Sequence, residues 1–410
     1  IYFGDTSANA YALDAATGVA TGWNPNPSSG TIANPQVWAL VVGRNTVYAG
    51  GWFTSIGGQV RHNLAALDVV TGAATGWNPR ANDVVYALGL GEGTIYAGGR
   101  FGSIWDWQRR VHIAALDATT GAVKNWNPNP NGLIVYALAV SGGVVYAGGD
   151  FTDIGGQPRN GIAALDTLTG AATTANPNAN GPIDVLAVCD NTVYVGGHFS
   201  QMGGQARSNL AALDAATGAV IAWNPGADGS VRSIAVDGKR IYVGGLFDHI
   251  AGETRNYIAA FDVSTGALAA WNPNSDSYVI ALALDGNTIY AGGSFHNIGG
   301  RPRSSIAALD VTTGAATAWN PDPSPGDTYY PQVYALAVSG GTVYAGGDFS
   351  TMGGQPQYGF AALDAVTGTA TAWNPEADGY VWALAVSGNT VYAGGRFSRI
   401  GGLPRASLVG

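Results

Sequence analysis

Apolar and polar positions follow one another in short blocks, and the same order of blocks returns about every 48 residues along the whole chain. A typical unit opens with the apolar run VYALAV at 135–140, turns through SGG, and continues as VVYAGG. A longer polar segment leads to GIAALD, and an Asp-x-x-Thr-Gly turn leads to a last segment ending in Asn-Pro. Short apolar runs between glycine-rich turns indicate strands, so each unit is predicted to contain four antiparallel strands.

Two recurring motifs set the number of units. Trp-Asn-Pro occurs seven times, and an eighth copy at Ala175 has lost its tryptophan. A tryptophan present in almost every unit is predicted to wedge between neighbouring units, because a repeated residue builds the repeat. The motif begins at Trp23, Trp77, Trp126, Trp223, Trp271, Trp319 and Trp373, and Asp-x-x-Thr-Gly begins at Asp14, Asp68, Asp117, Asp166, Asp214, Asp262, Asp310 and Asp364.

The nearly unbroken apolar runs suit strands that are covered on both faces. The predicted fold is therefore all-β: a single domain, 1–410, forming an eight-bladed β-propeller of four-stranded antiparallel blades. The ring is predicted to be closed by N- and C-terminal strands, with the eighth blade shared between residues 1–24 and 381–410. Such closure removes the sheet edges that would otherwise pair with another chain.

The two ends of the chain carry more strand copies than the ring needs. Eight four-stranded blades need 32 strands, whereas the repeats supply about 34. Either one terminal copy is displaced, or it adds to a sheet of a neighbouring molecule. The residues of this predicted seam and strand exchange are Ile1, Tyr2, Phe3, Leu408 and Val409.

The segments VYALAVSGGTVYAGGDF and AALDAVTGTATAWNP resemble delta-60-type β-propeller repeats of secreted and cell-surface bacterial proteins. The segment YALDAATG is similar, more distantly, to blades of pyrroloquinoline-quinone-type propellers. The first resemblance implies the fold and no general activity. The second implies a cofactor site associated with a vicinal cysteine pair and a catalytic acid near calcium. Because Cys189 is the sole cysteine, no cofactor is predicted.

The amino-acid composition limits the classes of partner that the protein can bind. Only 11% of residues are charged, against roughly 25% in ordinary soluble proteins. The net charge of −9 argues against nucleic acid, and no apolar run reaches the roughly 18 residues of a membrane span. The chain begins without methionine, which fits an exported protein whose leader was removed and equally fits a fragment. The predicted location is extracellular or at the cell surface.

Candidate binding residues are sought where the repeats differ. Three loops depart from the repeat, at residues 24–36, 104–110 and 320–332. The usual propeller topology places them on one face, in the half of the ring that contains the seam. Exposed tryptophan, tyrosine and arginine anchor protein interfaces, and aromatic rings also stack on sugars. Alternatively, the loop tryptophans fold back onto their own blade. The candidates are Trp52, Trp105, Trp107, Arg109, Arg110, Tyr329 and Tyr330.

A second irregularity concerns the inner strands. The position that holds tyrosine or tryptophan in most of them holds Asp184, Arg232 and Ile280 in three successive units. Neighbouring blades would bring Asp184 and Arg232 together at the channel. They are interpreted either as a structural ion pair or as a ligand site.

Signals for catalysis are weak. The five histidines lack a metal-ligand spacing, and no nucleophile elbow, phosphate loop or calcium loop occurs. A hydrolase would need an acid/base pair, for which Asp184 and Asp327 are the candidates. The sequence therefore predicts no enzyme, no catalytic residue and no metal.

The leading hypothesis is a non-enzymatic structural scaffold that associates with itself into a homo-oligomer, a larger assembly or a filament. The alternative is a carbohydrate- or peptide-binding module that uses the aromatic-rich long-loop face. Its partner would be a surface polysaccharide or a protein.

Overall fold

The computed structural model describes residues 10–14, 23, 25, 35–105, 108–326, 330–373, 377, 379–387 and 390–396. Every regular element in these ranges is a β-strand. A search of the same ranges finds no helix with the length and apolar character needed to cross a bilayer.

Three antiparallel strands form each repeating sheet of the described chain. They are called here the inner, middle and outer strands, and they pair in that order. The inner strands are Gln36–Val42, Val85–Gly91, Ile134–Ser141, Ile183–Cys189, Val231–Val236, Val279–Asp285, Gln332–Ser339 and Tyr380–Ser387. The middle strands are Thr46–Trp52, Thr94–Gly99, Val144–Asp150, Thr192–Gly197, Arg240–Gly245, Thr288–Gly293, Thr342–Met352 and Thr390–Arg396. The outer strands are Leu64–Asp68, Ile113–Asp117, Ile162–Asp166, Leu210–Asp214, Ile258–Asp262, Ile306–Asp310, Phe360–Asp364 and, for the last sheet, Ala10–Asp14.

The connections between middle and outer strands contain short two-residue strands. Six of these connections fold back on themselves as Ser55–Ile56 with Gln59–Val60, Ser103–Ile104 with Gln108–Arg109, Asp153–Ile154 with Gln157–Pro158, Gln201–Met202 with Gln205–Ala206, His249–Ile250 with Glu253–Thr254, and Asn297–Ile298 with Arg301–Pro302. In the seventh unit, Ser324–Pro325 and Gln355–Pro356 both pair with the long middle strand. An isolated bridge between Ala81 and Ile104 ties such a hairpin to the segment entering its inner strand, so both lie on one face, called here the long-loop face.

The prediction of a fourth strand in each unit is wrong, because no continuous strand forms there in the described residues. After each of the Asp-x-x-Thr-Gly turns that the structure describes, the chain returns beside the outer strand through a single isolated bridge, as between Leu67 and Ala74. Three residues later comes Trp77, whose indole nitrogen donates to the carbonyl oxygen of Asp117 in the next sheet at 2.8 Å. The tryptophan thus leaves its own sheet, and the proline after it has no N–H for a ladder.

The same contact confirms that the recurring tryptophan wedges between neighbouring units. Trp126 is 1% exposed, donates to Asp166 O at 2.8 Å in the following sheet, and meets Tyr96 edge to face at 5.2 Å. The tyrosine belongs to the Tyr-(Ala/Val)-Gly-Gly motif of the middle strand. An aromatic pair of this kind therefore lies between each sheet and the next wherever the tryptophan is present.

The double glycine of that motif allows two close approaches. A Cβ at Gly51 would overlap the carbonyl oxygen of Gln36, and a Cβ at Gly50 would lie 2.6 Å from Val85 Cγ1 of the next sheet. Gly51 pairs with Val37 and Gly50 with Ala39, so Trp38 is skipped in the ladder as a β-bulge. The bulge recurs in all the described inner strands, and it turns the skipped side chain towards the channel.

Neighbouring inner strands contact one another in sequence order, and the last of them, Tyr380–Ser387, contacts the first, Gln36–Val42. Side-by-side sheets whose first strands line a channel are the architecture of a β-propeller.

The last sheet joins the two ends of the chain. Ala10–Asp14 pairs with the middle strand, with Ala12 opposite Tyr392. Trp23 donates to Asp68 O at 2.6 Å and meets Tyr392 edge to face at 5.1 Å. The outer position is thus filled from the N-terminal side and the middle position from the C-terminal side. The predicted exchange residues Ile1, Tyr2, Phe3, Leu408 and Val409 lie outside the described residues.

The Asp-x-x-Thr-Gly turns hold their aspartates as hydrogen-bond acceptors. At Asp262, Ser264 Oγ donates at 2.6 Å, and the N and Oγ1 of Thr265 donate at 2.8 and 2.9 Å. These bonds favour the carboxylate and lower the pKa of Asp262 to about 2. The pKa values of the other described turn aspartates are also lowered, at Asp68, Asp117, Asp166, Asp214, Asp310 and Asp364.

We expect the free energy of unfolding to decrease as the pH falls from about 4 to about 2. The folded-state pKa of Asp262 lies below its ordinary value of 3.8, so the stabilisation present above that value is lost as protons bind. Urea unfolding across this range measures the effect. An Asp262→Ala variant should show a smaller pH dependence than the parent protein, and a free energy that stays constant over the range would contradict the prediction.

Candidate functional site

The skipped residues of the inner strands lie around one cavity of about 470 Å³ in the channel. They come from eight different strands, so each contributes a single side chain to a shared surface. This set, called the channel ring, comprises Trp38, Tyr86, Tyr136, Asp184, Arg232, Ile280, Tyr334 and Trp382; all its members except Tyr86, seven in number, line the cavity, together with neighbouring residues of the inner strands.

One side of the channel ring is a stack of aromatic rings. Trp38 stacks on Tyr86 at 4.8 Å and on Trp382 at 6.2 Å, with interplanar angles of 23° and 27°. Tyr380 continues the stack beyond Trp382 at 6.3 Å. Offset stacking of this kind fixes the rings relative to one another, so this side of the channel is rigid and apolar.

The opposite side of the channel ring is polar. Arg232 Nη1 lies 3.3 Å from Asp184 Oδ2, which brings together the two residues that the sequence placed at the channel. Asp184 Oδ2 is buried and has no hydrogen-bond partner in the described part of the chain. Its contact with Arg232 is therefore an ion pair without hydrogen-bond geometry. Side-chain exposure is 17% for Asp184 and 44% for Arg232. The pair is held by charge and keeps unused hydrogen-bonding capacity.

Burial dominates the electrostatics of this surface. It raises the pKa of the Asp184 carboxyl, and the charges of Arg232 and His198 act in the opposite direction. Burial and the Asp348 carboxylate raise the pKa of Tyr334 to about 12. The phenol of Tyr334 therefore stays neutral at neutral pH.

Trp105 lies on the long-loop face but is tied to its own sheet. Its backbone has φ of 56°, the left-handed conformation that Gly57 adopts at the corresponding position. Its indole nitrogen donates to Gly121 O at 3.2 Å, in the turn of the same unit. The tryptophan therefore replaces the missing glycine turn, as one of the two interpretations expected, while part of its ring stays exposed.

The other predicted loop residues occupy separate places. Trp52 ends its middle strand opposite Gln36 and is exposed. Arg110 donates to Lys124 O at 3.0 Å within its own unit, whereas Arg109 is exposed. Tyr330 is exposed and its ring meets His296 edge to face at 4.9 Å. Trp107, Tyr329 and Asp327 lie outside the described residues.

The sequence reasoning missed how widely exposed aromatic residues spread over the long-loop face. Tyr278 precedes an inner strand and Tyr358 precedes an outer strand, both beyond the predicted loops, and both are exposed. The opposite face, formed by the tight turns, exposes aliphatic side chains instead, at Val70, Leu168 and Val366. Among described residues, the exposed large aromatic side chains are Trp52, Trp105, Tyr136, Tyr278, Tyr330 and Tyr358. The sequence did contain a signal for these two residues, because each is a tyrosine that is absent from most other repeats and lies next to the start of a strand.

His249 and Asp228 form a pair at 2.9 Å between Nδ1 and Oδ2 on the long-loop face. The other carboxylate oxygen accepts the backbone N–H groups of Asp248 and His249. Asn180 accepts two backbone N–H groups at the corresponding place of another unit, so the pair belongs to the repeat's loop architecture. Within the described ranges, no group of three or more His, Cys, Asp or Glu side chains is placed to hold a metal ion.

Solved structures of propeller architecture are similar to this chain. The computationally designed Ika8 protein is 18% identical, with 89% of this chain and 95% of that chain covered and a TM-score of 0.60. BamB from Moraxella catarrhalis is 19% identical, with 87% of this chain and 96% of that chain covered and a TM-score of 0.52. At such identities the likeness shows the fold. No curated protein matches the sequence.

A family model described as outer membrane protein assembly factor BamB matches residues 60–320 and, in a second overlapping alignment, 158–401. The match supports the resemblance to pyrroloquinoline-quinone-type propellers, whereas the resemblance to delta-60-type repeats stays a prediction. Because the two alignments together span most of the 410 residues, the chain belongs to this BamB-type family of β-propeller repeats.

Proposed function

We propose that this chain is a non-enzymatic protein-interaction scaffold, a closed eight-bladed propeller whose long-loop face binds a second copy of the chain outside the cell or at its surface. The observation that carries the proposal is that, among the described residues, the exposed aromatic residues outside the channel lie on the long-loop face. Aromatic side chains are enriched at protein interfaces, where charged residues are depleted. A chain with only 11% charged residues is suited to such a surface.

Two further features support the closed ring. The inner strand Tyr380–Ser387 contacts Gln36–Val42, and the strand Ala10–Asp14 completes the sheet between the chain's two ends. A closed ring leaves only short, protected sheet edges, which favours association through loops and faces. The family's description as an assembly factor for outer membrane proteins fits a role in bringing proteins together.

Analytical ultracentrifugation tests the association. We expect the sedimentation coefficient of the parent protein to increase with concentration. A variant carrying Trp52→Ser, Tyr278→Ser and Tyr358→Ser should remain monomeric over the same range, because the apolar contacts of the face are removed. The matched control carries Val70→Ser, Leu168→Ser and Val366→Ser on the opposite face and should associate like the parent. A parent protein that is monomeric throughout, or a control that also loses association, would overturn the proposal.

A further inference from the structure

The channel ring has a border at which its aromatic stack meets its ion pair, formed by Tyr136, Asp184 and Arg232. We infer that this border is a binding site for a saccharide that carries an acetamido group. The site belongs to the channel, whereas the proposed self-association uses the outer loops. The inference therefore does not depend on the proposed function.

Tyr136 lies next to Tyr86, at the end of the aromatic stack. Its ring meets Tyr86 at 6.0 Å and 47°, and 37% of the residue is exposed. Trp38, by contrast, has a ring stacked on each side. Tyr136 thus keeps a ring face available to a ligand. The C–H groups of a sugar ring carry partial positive charge and pack on the negative face of an aromatic ring.

The ion pair next to Tyr136 offers an acceptor and a donor side by side. A carboxylate only accepts hydrogen bonds and a guanidinium only donates them. Arg232 Nε donates to Ser230 Oγ at 3.3 Å, and in the described part of the chain its terminal nitrogens make no hydrogen bond, although one lies 3.3 Å from Asp184. An acetamido group complements this pair, because its N–H donates to Oδ1 of Asp184, the carboxylate oxygen that is not enclosed, while its C=O accepts from the guanidinium.

The shape of the site fits the same ligand. The cavity of about 470 Å³ lies within the usual range of roughly 300–1,000 Å³ for small-molecule sites. Ile280 follows Arg232 around the channel ring and provides an apolar side chain near the pair. An acetamido methyl group is matched by such a neighbour, whereas a bare hydroxyl is not.

Isothermal titration calorimetry with N,N′-diacetylchitobiose tests the inference, with cellobiose as the matched sugar that lacks acetamido groups. We expect the diacetyl sugar to bind and cellobiose to bind at least tenfold more weakly. Tyr136→Ile and Arg232→Ile should each weaken binding at least tenfold. Because isoleucine stands at this position in Ile280, both variants are expected to fold, and thermal unfolding checks this. Leu168→Ala, on the tight-turn face, should bind like the parent.

Four results would overturn the inference. The first is no heat of binding for the diacetyl sugar with the folded parent protein. The second is equal binding of cellobiose, which would remove the acetamido assignment. The third is equal binding of tetraglycine with the same loss in the variants, which would make the site a peptide site. Retained binding in both folded variants would likewise exclude this location.

Discussion

Replacing Trp126 by alanine is expected to lower the free energy of unfolding by about 3–5 kcal/mol, as truncation of a buried aromatic residue does. The indole is 1% exposed, meets Tyr96 at 5.2 Å, and donates to Asp166 O at 2.8 Å across the boundary between two sheets. Its removal opens a cavity and leaves a carbonyl oxygen without this donor. Equilibrium urea unfolding of the parent and the variant measures the change, provided that the free energy of unfolding of both proteins depends equally steeply on urea concentration.

Two variants separate the causes of this loss. Trp126→Phe keeps an aromatic ring and removes the donor to Asp166, so we expect a smaller loss that includes about 1 kcal/mol for the hydrogen bond. Trp52→Ala removes an exposed tryptophan and should change stability by no more than about 0.5 kcal/mol. If Trp126→Ala lowers the free energy of unfolding by no more than Trp52→Ala does, Trp126 does not stabilise the contact between the two sheets.

The chain contains a natural exception at Ala175, where the tryptophan is absent. There the hydroxyl of Tyr146 donates to Ala215 O at 2.8 Å and approaches Asp214 O at 3.3 Å. A Cβ at Gly218 would lie 2.6 Å from Ala175 Cβ, so the neighbouring turn has moved into the space. A tryptophan at Ala175 would therefore be overpacked, and Ala175 is not a model for the cavity at Trp126.

Replacing Ala12 by aspartate is expected to cost about 3–5 kcal/mol, because it leaves a buried charge without a partner. Ala12 is fully buried opposite Tyr392, in a cluster that includes Trp23 and Val37. The strand Ala10–Asp14 pairs with the last sheet, and Ala12 packs in its core. We therefore expect it to detach and to leave the edge of Thr390–Arg396 open.

Hydrogen exchange of the amides at 390–394 measures this detachment, because exchange reports local opening. In Ala12→Asp, protection should be lost there while inner strands remote from the seam stay protected. Ala115→Asp makes the same change at the corresponding buried position of an outer strand within the chain. That control should reduce protection around its own sheet and spare 390–394. Unchanged protection at 390–394 in Ala12→Asp would refute the role of the strand.

The strands were predictable because their signals are local and repeated. The apolar run predicted as a strand at 135–140 is the inner strand Ile134–Ser141, since apolar runs bounded by glycine turns need little tertiary information. The fourth strand failed for a non-local reason. Its tryptophan finds its partner in the next sheet, and the chain leaves the ladder to reach it.

The candidate site was predictable in part. The substitutions Asp184 and Arg232 stood out against the repeat, and their adjacency follows from the order of the units. Their missing hydrogen-bond alignment and the open ring face of Tyr136 depend on side-chain packing across several sheets. The broad exposure of aromatic residues, including Tyr278 and Tyr358, depends on which loop each residue faces.

By itself, the sequence determined the period, the strand types, the turns and the residues that pin one unit to the next, because each is encoded within a single repeat. Only the tertiary structure decided that Ala10–Asp14 takes the outer position beside Thr390–Arg396, since that contact joins distant ends of the chain. It also decided that a β-bulge in each described inner strand, such as the one at Trp38 opposite Gly50 and Gly51, turns one residue of that strand towards the channel. A repeat pattern specifies neighbours along the chain, whereas the shared cavity exists only where separate units meet.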